Sequence, residues 1–273
     1  MTDQRGTDVN VHIEALAQTP AELVFSVAVA HGPVVTDEIM ALTVGGEPID
    51  LTEVAAPDGG RLHVARIPAG PITFDYRATT DGSASAEPVS GIDEIEFRRP
   101  SRYAESDKLG IIASKRFAGL EGQEQINAIA DWVHDNLFYV SGSSAPTDGA
   151  VDTYLAQQGV CRDFAHLTIA MLRACGFPAR LVAVYAPGLD PMDFHAVAEV
   201  AHEGRWQVVD ATRMAPRQSL VRIVNGRDAS DTAFLTVQSG QVEFGDVQVM
   251  CVRHEGLPTE DPEAVVHLGS TAP

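Results

Sequence analysis

The most constraining feature of this chain is a change of period near residue 100. Upstream, short strand-like runs occur at 10–16, 21–30, 38–44, 61–67 and 72–79, with apolar and polar residues partly alternating in 23–29 and 72–76. Turn formers punctuate them: Gly45-Gly46, Pro57-Asp58-Gly59-Gly60, Pro68-Ala69-Gly70-Pro71 and Asp81-Gly82. Short strand-like runs between such turns predict a small antiparallel all-β sandwich or barrel. Downstream, the spacing becomes helical: Leu109, Ile112, Ala113 and Phe117 in one segment, Ile126, Ile129, Ala130, Val133 and Leu137 in the next. The expected organisation is therefore a β-sandwich domain over 1–100 and a mixed α+β core over 101–273.

Of the 273 residues, 45% are hydrophobic, which is enough to bury a core in each part. The net charge of −19 argues against nucleic acid as a partner, since a phosphate backbone needs clustered Lys and Arg. It argues equally against an anionic membrane surface. No segment approaches 18 apolar residues, and residues 1–10 lack the apolar stretch of a secretion signal. The three cysteines, Cys161, Cys175 and Cys251, match no disulfide or zinc spacing, so a reducing, cytoplasmic setting is expected.

In the second half, helices are predicted over 107–117, 122–137 and 151–158, with a loop of turn formers at 141–149. After Gly159 a helix should begin at Cys161, with Phe164, Leu167, Met171, Leu172 and Cys175 on one face. It should end at Gly176, a glycine suited to the C′ position, before Pro178. Strands follow at 180–185, 194–200 and 206–212. The stretches 233–237 and 247–253 read as edge strands of the same sheet.

Three residues combine into a nucleophile, base and acid. Cys161 opens a helix, where free N–H groups and the helix dipole favour a thiolate. His195 and Asp210 lie on a hairpin. A turn centred on His202 and Glu203 puts them directly opposite, and a turn one residue later makes them diagonal neighbours. Either way their Cβ atoms are roughly 4.5–8 Å apart on one face. A carboxylate so placed can orient the imidazole and stabilise its protonated form. The Cys161 N–H can supply one oxyanion donor, with Tyr139 and Tyr154 as candidates for a second. Cys175 and Cys251 lie within apolar segments and read as core thiols. Asp163 reads as a first-turn carboxylate, partly offset by Arg162. His134, His202, His254 and His267 read as surface residues and Trp132 as a packing residue. A metal site of Cys161, His166 and His195 is the weakest alternative, because it has no standard ligand spacing and would consume the nucleophile. No cofactor and no metal is expected.

Four blocks carry a resemblance. They are Gly159-Val160-Cys161-Arg162-Asp163-Phe164-Ala165-His166-Leu167, Leu172-Arg173-Ala174-Cys175-Gly176-Phe177-Pro178-Ala179-Arg180, His195-Ala196-Val197-Ala198-Glu199-Val200 and Trp206-Gln207-Val208-Val209-Asp210-Ala211-Thr212. In this order they resemble the core of the bacterial transglutaminase-like superfamily, over about residues 102–253. The upstream β region, leaving through Arg99-Pro100-Ser101-Arg102-Tyr103, resembles the domain often attached to such cores. The resemblance implies a papain-like α+β fold, helices packed on an antiparallel sheet. It implies Cys161 as nucleophile, His195 as general base and acid, and Asp210 as the residue orienting the histidine. Val197 replaces the family's common Trp after His-Ala, and Asp210-Ala211-Thr212 replaces Asp-Pro-Thr; neither change removes a reacting group. The implied chemistry is acyl transfer through a Cys161 thioester on a protein or peptide, resolved by water or by an amine acceptor. A non-catalytic peptide-binding or scaffolding module with the same fold is the alternative.

Overall fold

The computed structural model describes residues 6–81 and 88–268, so Gly82 of the expected 81–82 turn and the polar start at 1–5 lie outside the described residues. The first part runs β1 (Thr7–Ala17), β2 (Ala21–Phe25), β3 (Val35–Val44), β4 (Glu47–Pro48), β5 (Thr52–Ala55), β6 (Arg61–Ile67) and β7 (Gly70–Thr80). Alternation does what the sequence predicts. In β1, Val9, Val11, Ile13 and Ala15 point inward, as do Ile72, Phe74, Tyr76 and Ala78 in β7. Two antiparallel sheets share this interior, where Phe25 from one stacks on Phe74 from the other at 4.2 Å.

The second part contains α1 (Gly91–Glu96), α2 (Ser106–Arg116), α3 (Gly122–Asn136), β8 (Phe138–Tyr139), α4 (Ala150–Ala156), β9 (Gln158–Gly159) and α5 (Cys161–Ala174). It continues with β10 (Ala179–Tyr185), β11 (His195–His202), β12 (Arg205–Val209), β13 (Val221–Gly226), α6 (Ala229–Thr232), β14 (Leu235–Ser239) and β15 (Val242–Arg253). The core sheet has the order β12-β11-β10-β13, all antiparallel. Helix α5 lies against β11 and β10 and is buried from Asp163 through Arg173. It ends as expected: Gly176 has φ +91°, with Phe177 N–H bonded to Leu172 O (3.0 Å) and Gly176 N–H to Arg173 O (2.9 Å). These two bonds form a Schellman cap.

One expectation is corrected. The stretches at 233–237 and 247–253 are not edge strands of the core sheet. β14 pairs with β2, and β15 pairs with β1 along nearly its whole length. β13, which the sequence reading does not identify, takes the free edge of β10 instead. β15 buries Val249 and Cys251 while exposing Met250 and Val252, the one-sided pattern suited to the outer sheet of a sandwich. The sheets therefore do not follow a division at residue 100, because the C-terminal strands complete the first domain's two sheets. The two halves are also fused through a common apolar cluster that includes Tyr185, Val221, Ile223 and Val224. Tyr185 Oη donates to Val27 O at 2.6 Å across the junction.

Candidate active site

Cys161 is the first residue of α5, half-buried and free of disulfide. The local sequence accounts for its placement. Val160 is extended at the N-cap (φ −110°), and Asp163, the third helical residue, reaches back to accept the Val160 N–H at 2.9 Å. Gly159 is required here: a Cβ on it would lie 2.5 Å from Asp163 Cβ. The same carboxylate accepts Ser144 Oγ–H (2.5 Å) and Arg162 Nη2 (2.9 Å), and Arg162 also binds Ala145 O. Asp163 thus ties the 141–149 loop to the start of α5.

His195 opens β11 and Asp210 follows β12. The connecting turn is Glu203-Gly204, with φ of +51° and +76°, and His202 pairs with Arg205. That turn lies one residue later than the centred version, so His195 and Asp210 are diagonal neighbours. Their side chains meet: His195 Nε2 donates to Asp210 Oδ2 at 2.8 Å with both groups buried. Asp210 Oδ1 accepts the Thr212 N–H (2.9 Å) and Oγ1–H (2.7 Å). The carboxylate is therefore both a cap for Thr212 and the holder of His195, so Thr212 fixes which oxygen faces the imidazole.

The electrostatics follow from this arrangement. Burial opposes a charge on His195, but the Asp210 carboxylate, by charge and hydrogen bond, and the adjacent Cys161 thiol raise it to about 10. Burial alone would raise Asp210, yet His195 and the Thr212 bonds hold it below the ordinary carboxylate range. His195 Nδ1 has no hydrogen-bond partner among the described residues. It is the ring atom left for the thiol.

Tyr139 joins the site and Tyr154 does not. Tyr139 lies beside Cys161, and burial first, then the neighbouring Cys161 charge, pushes its phenol up to about 12. Tyr154 packs instead against Trp132, at 6.0 Å between rings. His166 also lies elsewhere: fully buried, it stacks on Tyr103 and accepts the Ala229 N–H at 3.1 Å. Its engaged nitrogen argues against the Cys161–His166–His195 metal reading. Cys175 and Cys251 fit core thiols, burial pushing the first up and the second up to about 12. Two histidines read as surface are half-buried structural links: His134 Nδ1 meets Ala211 O (2.9 Å) and His267 Nδ1 meets Trp206 O (2.6 Å). Sequence reasoning missed Ser144 and these two links, whose partners are distant in the chain or lie in loops.

This geometry agrees with comparisons to known proteins. Residues 114–211 match the family model described as the transglutaminase-like superfamily. A crystal structure of a candidate cysteine protease from Cytophaga hutchinsonii is 33% identical, covers 93% of this chain and 92% of that one, and superposes with a TM-score of 0.85. An uncharacterised protein of Mycobacterium leprae is 29% identical over 147 residues, 50% of this chain and 53% of that protein. One of Mycobacterium tuberculosis is 35% identical over 123 residues, 40% of this chain and 39% of that protein. The chain spans about half the length, or less, of these two curated relatives. It belongs to the transglutaminase-like superfamily.

Proposed function

We propose that this chain is a cysteine-dependent acyl-transfer enzyme acting on amide bonds of proteins or peptides. The observation that carries the reading is the buried His195–Asp210 pair, which leaves Nδ1 unpartnered for the thiol at the start of α5. In the proposed reaction, the proton shared by Cys161 and His195 rests on Nδ1 while Sγ attacks the amide carbonyl carbon. The resulting oxyanion is met by the Cys161 N–H, and the imidazolium returns the proton to the departing amine or ammonia. Asp210 holds the ring through both transfers. The thioester then passes its acyl group to water or to a primary amine, with His195 as base, and the thiol is regenerated. The name of the Cytophaga hutchinsonii relative favours water as the acceptor.

Three free thiols support a reducing, cytoplasmic setting. The charge of −19 supports partners other than nucleic acid or an anionic membrane. The test is a peptide panel assayed for released ammonia and new termini, with and without a primary amine. Wild-type protein should turn over at least one peptide and Cys161→Ala none. Equal product from both proteins would contradict the reading.

A further inference from the structure

The short ladder beside the nucleophile has an open edge. β8 pairs in parallel with β9, which ends two residues before Cys161. The N–H groups of Phe138 and Val140 donate to Gln157 O (2.9 Å) and Gly159 O (3.0 Å). Successive peptide groups of a strand point to opposite edges, so those of Tyr139 face away from β9. Among the described residues nothing bonds to the Tyr139 N–H or C=O. Phe138, Tyr139 and Val140 are 74%, 43% and 40% exposed, the only run of three such large apolar residues among those described.

Natural edge strands are usually shielded by charge or Pro. Here 137–145 contain neither, in a chain carrying 38 acidic residues. An open apolar edge of this kind suits β-strand addition, where main-chain bonds give affinity and alternate side chains give selectivity. Tyr139 pairs with Gly159, two residues before Cys161, so a strand added here runs close to the thiol.

We infer that the edge of β8 is the acyl-donor docking site, and that its occupant is an extended, uncharged, apolar polypeptide stretch paired with the Tyr139 N–H and C=O. This rests on the acyl-transfer reading for its chemistry, but the pairing is testable without it. Phe138 and Val140 share one face of the strand and set the preference for apolar flanks; the strip offers no counter-charge to a lysine or glutamate side chain.

The direct test is amide hydrogen exchange at Tyr139 in the Cys161→Ala protein, with an acetylated, amidated pentapeptide of valine and phenylalanine around a central glutamine. At millimolar peptide, exchange should slow by about tenfold or more, and neither a glutamate-flanked nor a backbone N-methylated peptide should do this. In wild type, the apolar peptide as a chloromethyl ketone should alkylate Cys161 about tenfold faster than its glutamate-flanked analogue. Phe138→Ser should erase most of that advantage, measured as a ratio to iodoacetamide. Unprotected Tyr139 together with equal rates for the two ketones would overturn the inference, and selective iodoacetamide labelling of Cys161 would leave the nucleophile reading standing. Protection of Tyr139 without selective labelling would sink the acyl-transfer reading and keep the peptide edge.

Discussion

The sandwich and the core treat charge in opposite ways. In the sandwich the interior is apolar around Phe25 and Phe74, and Arg61 meets Glu38 and Glu53 at the rim, where both acids are partly exposed. The core buries Asp163, His166, Arg173, Arg180, His195, Glu199 and Asp210. Most of these are scaffolding, tied into ion pairs and hydrogen bonds. Arg180 joins Glu199 at 2.8 Å and lies 4.0 Å over the Trp206 ring, while Arg173 binds the carbonyls of Ala179, Arg99 and Arg227 and the Ser101 hydroxyl. Buried charge alone therefore does not mark the chemistry. The two core histidines sharpen the point. His166 is pushed down to about 4, chiefly by burial; His195, as deeply buried, is raised to about 10 because Asp210 and the thiol outweigh burial. What sets His195 apart is an imidazole that holds its proton beside a half-exposed thiol, and the sandwich has no counterpart among the described residues.

The largest expected effect separates the two regions outright. Cys161→Ala should abolish acyl transfer, a loss on the order of 10⁴-fold or more in kcat/KM, with little change in a urea unfolding midpoint. Asp210→Asn should lower kcat by about 10²–10⁴-fold by misdirecting the imidazole. It should also change the pH profile of stability. In wild type, His195 is raised above its unfolded value of 6.5, so its contribution is complete below pH 6.5 and is lost as pH rises toward about 10. His166 is depressed, so its contribution is present above pH 6.5 and is lost as pH falls toward about 4. Urea titrations across pH should show both limbs in wild type and a weakened alkaline limb in Asp210→Asn.

The sandwich should respond the other way. Phe74→Ala should cost about 3–5 kcal/mol of stability, read by urea unfolding, while the rate of Cys161 alkylation per folded molecule is kept. A large loss of alkylation rate in that variant would mean the sandwich tunes the site. Smallest is Arg66→Ala, which breaks the exposed Arg66–Glu22 pair and should shift stability by less than about 1 kcal/mol.

Much of this was legible because local patterns decide it. Helical spacing placed α2, α3 and α5 within a residue of their observed ends, and Gly176 with Pro178 marked the α5 terminus. The hairpin argument brought His195 and Asp210 together because a two-residue turn limits the register to a few choices. β15 was misassigned because its pattern says that it has one wet face, not which sheet edge it joins. That choice is made by β13 filling the β10 edge and by β1 offering a long partner. The Asp163–Ser144–Arg162 cluster was illegible for a similar reason: its partners lie up to 19 residues apart, across a loop without periodicity.

The most direct test of Cys161 as an activated nucleophile is site-resolved iodoacetamide labelling near neutral pH, followed by mass spectrometry of all three cysteine peptides. Cys161 should label well ahead of Cys175 and Cys251, and His195→Ala should slow it by about tenfold or more while leaving the other two unchanged. Equal labelling of the three thiols, or a Cys161 rate indifferent to His195, would contradict it.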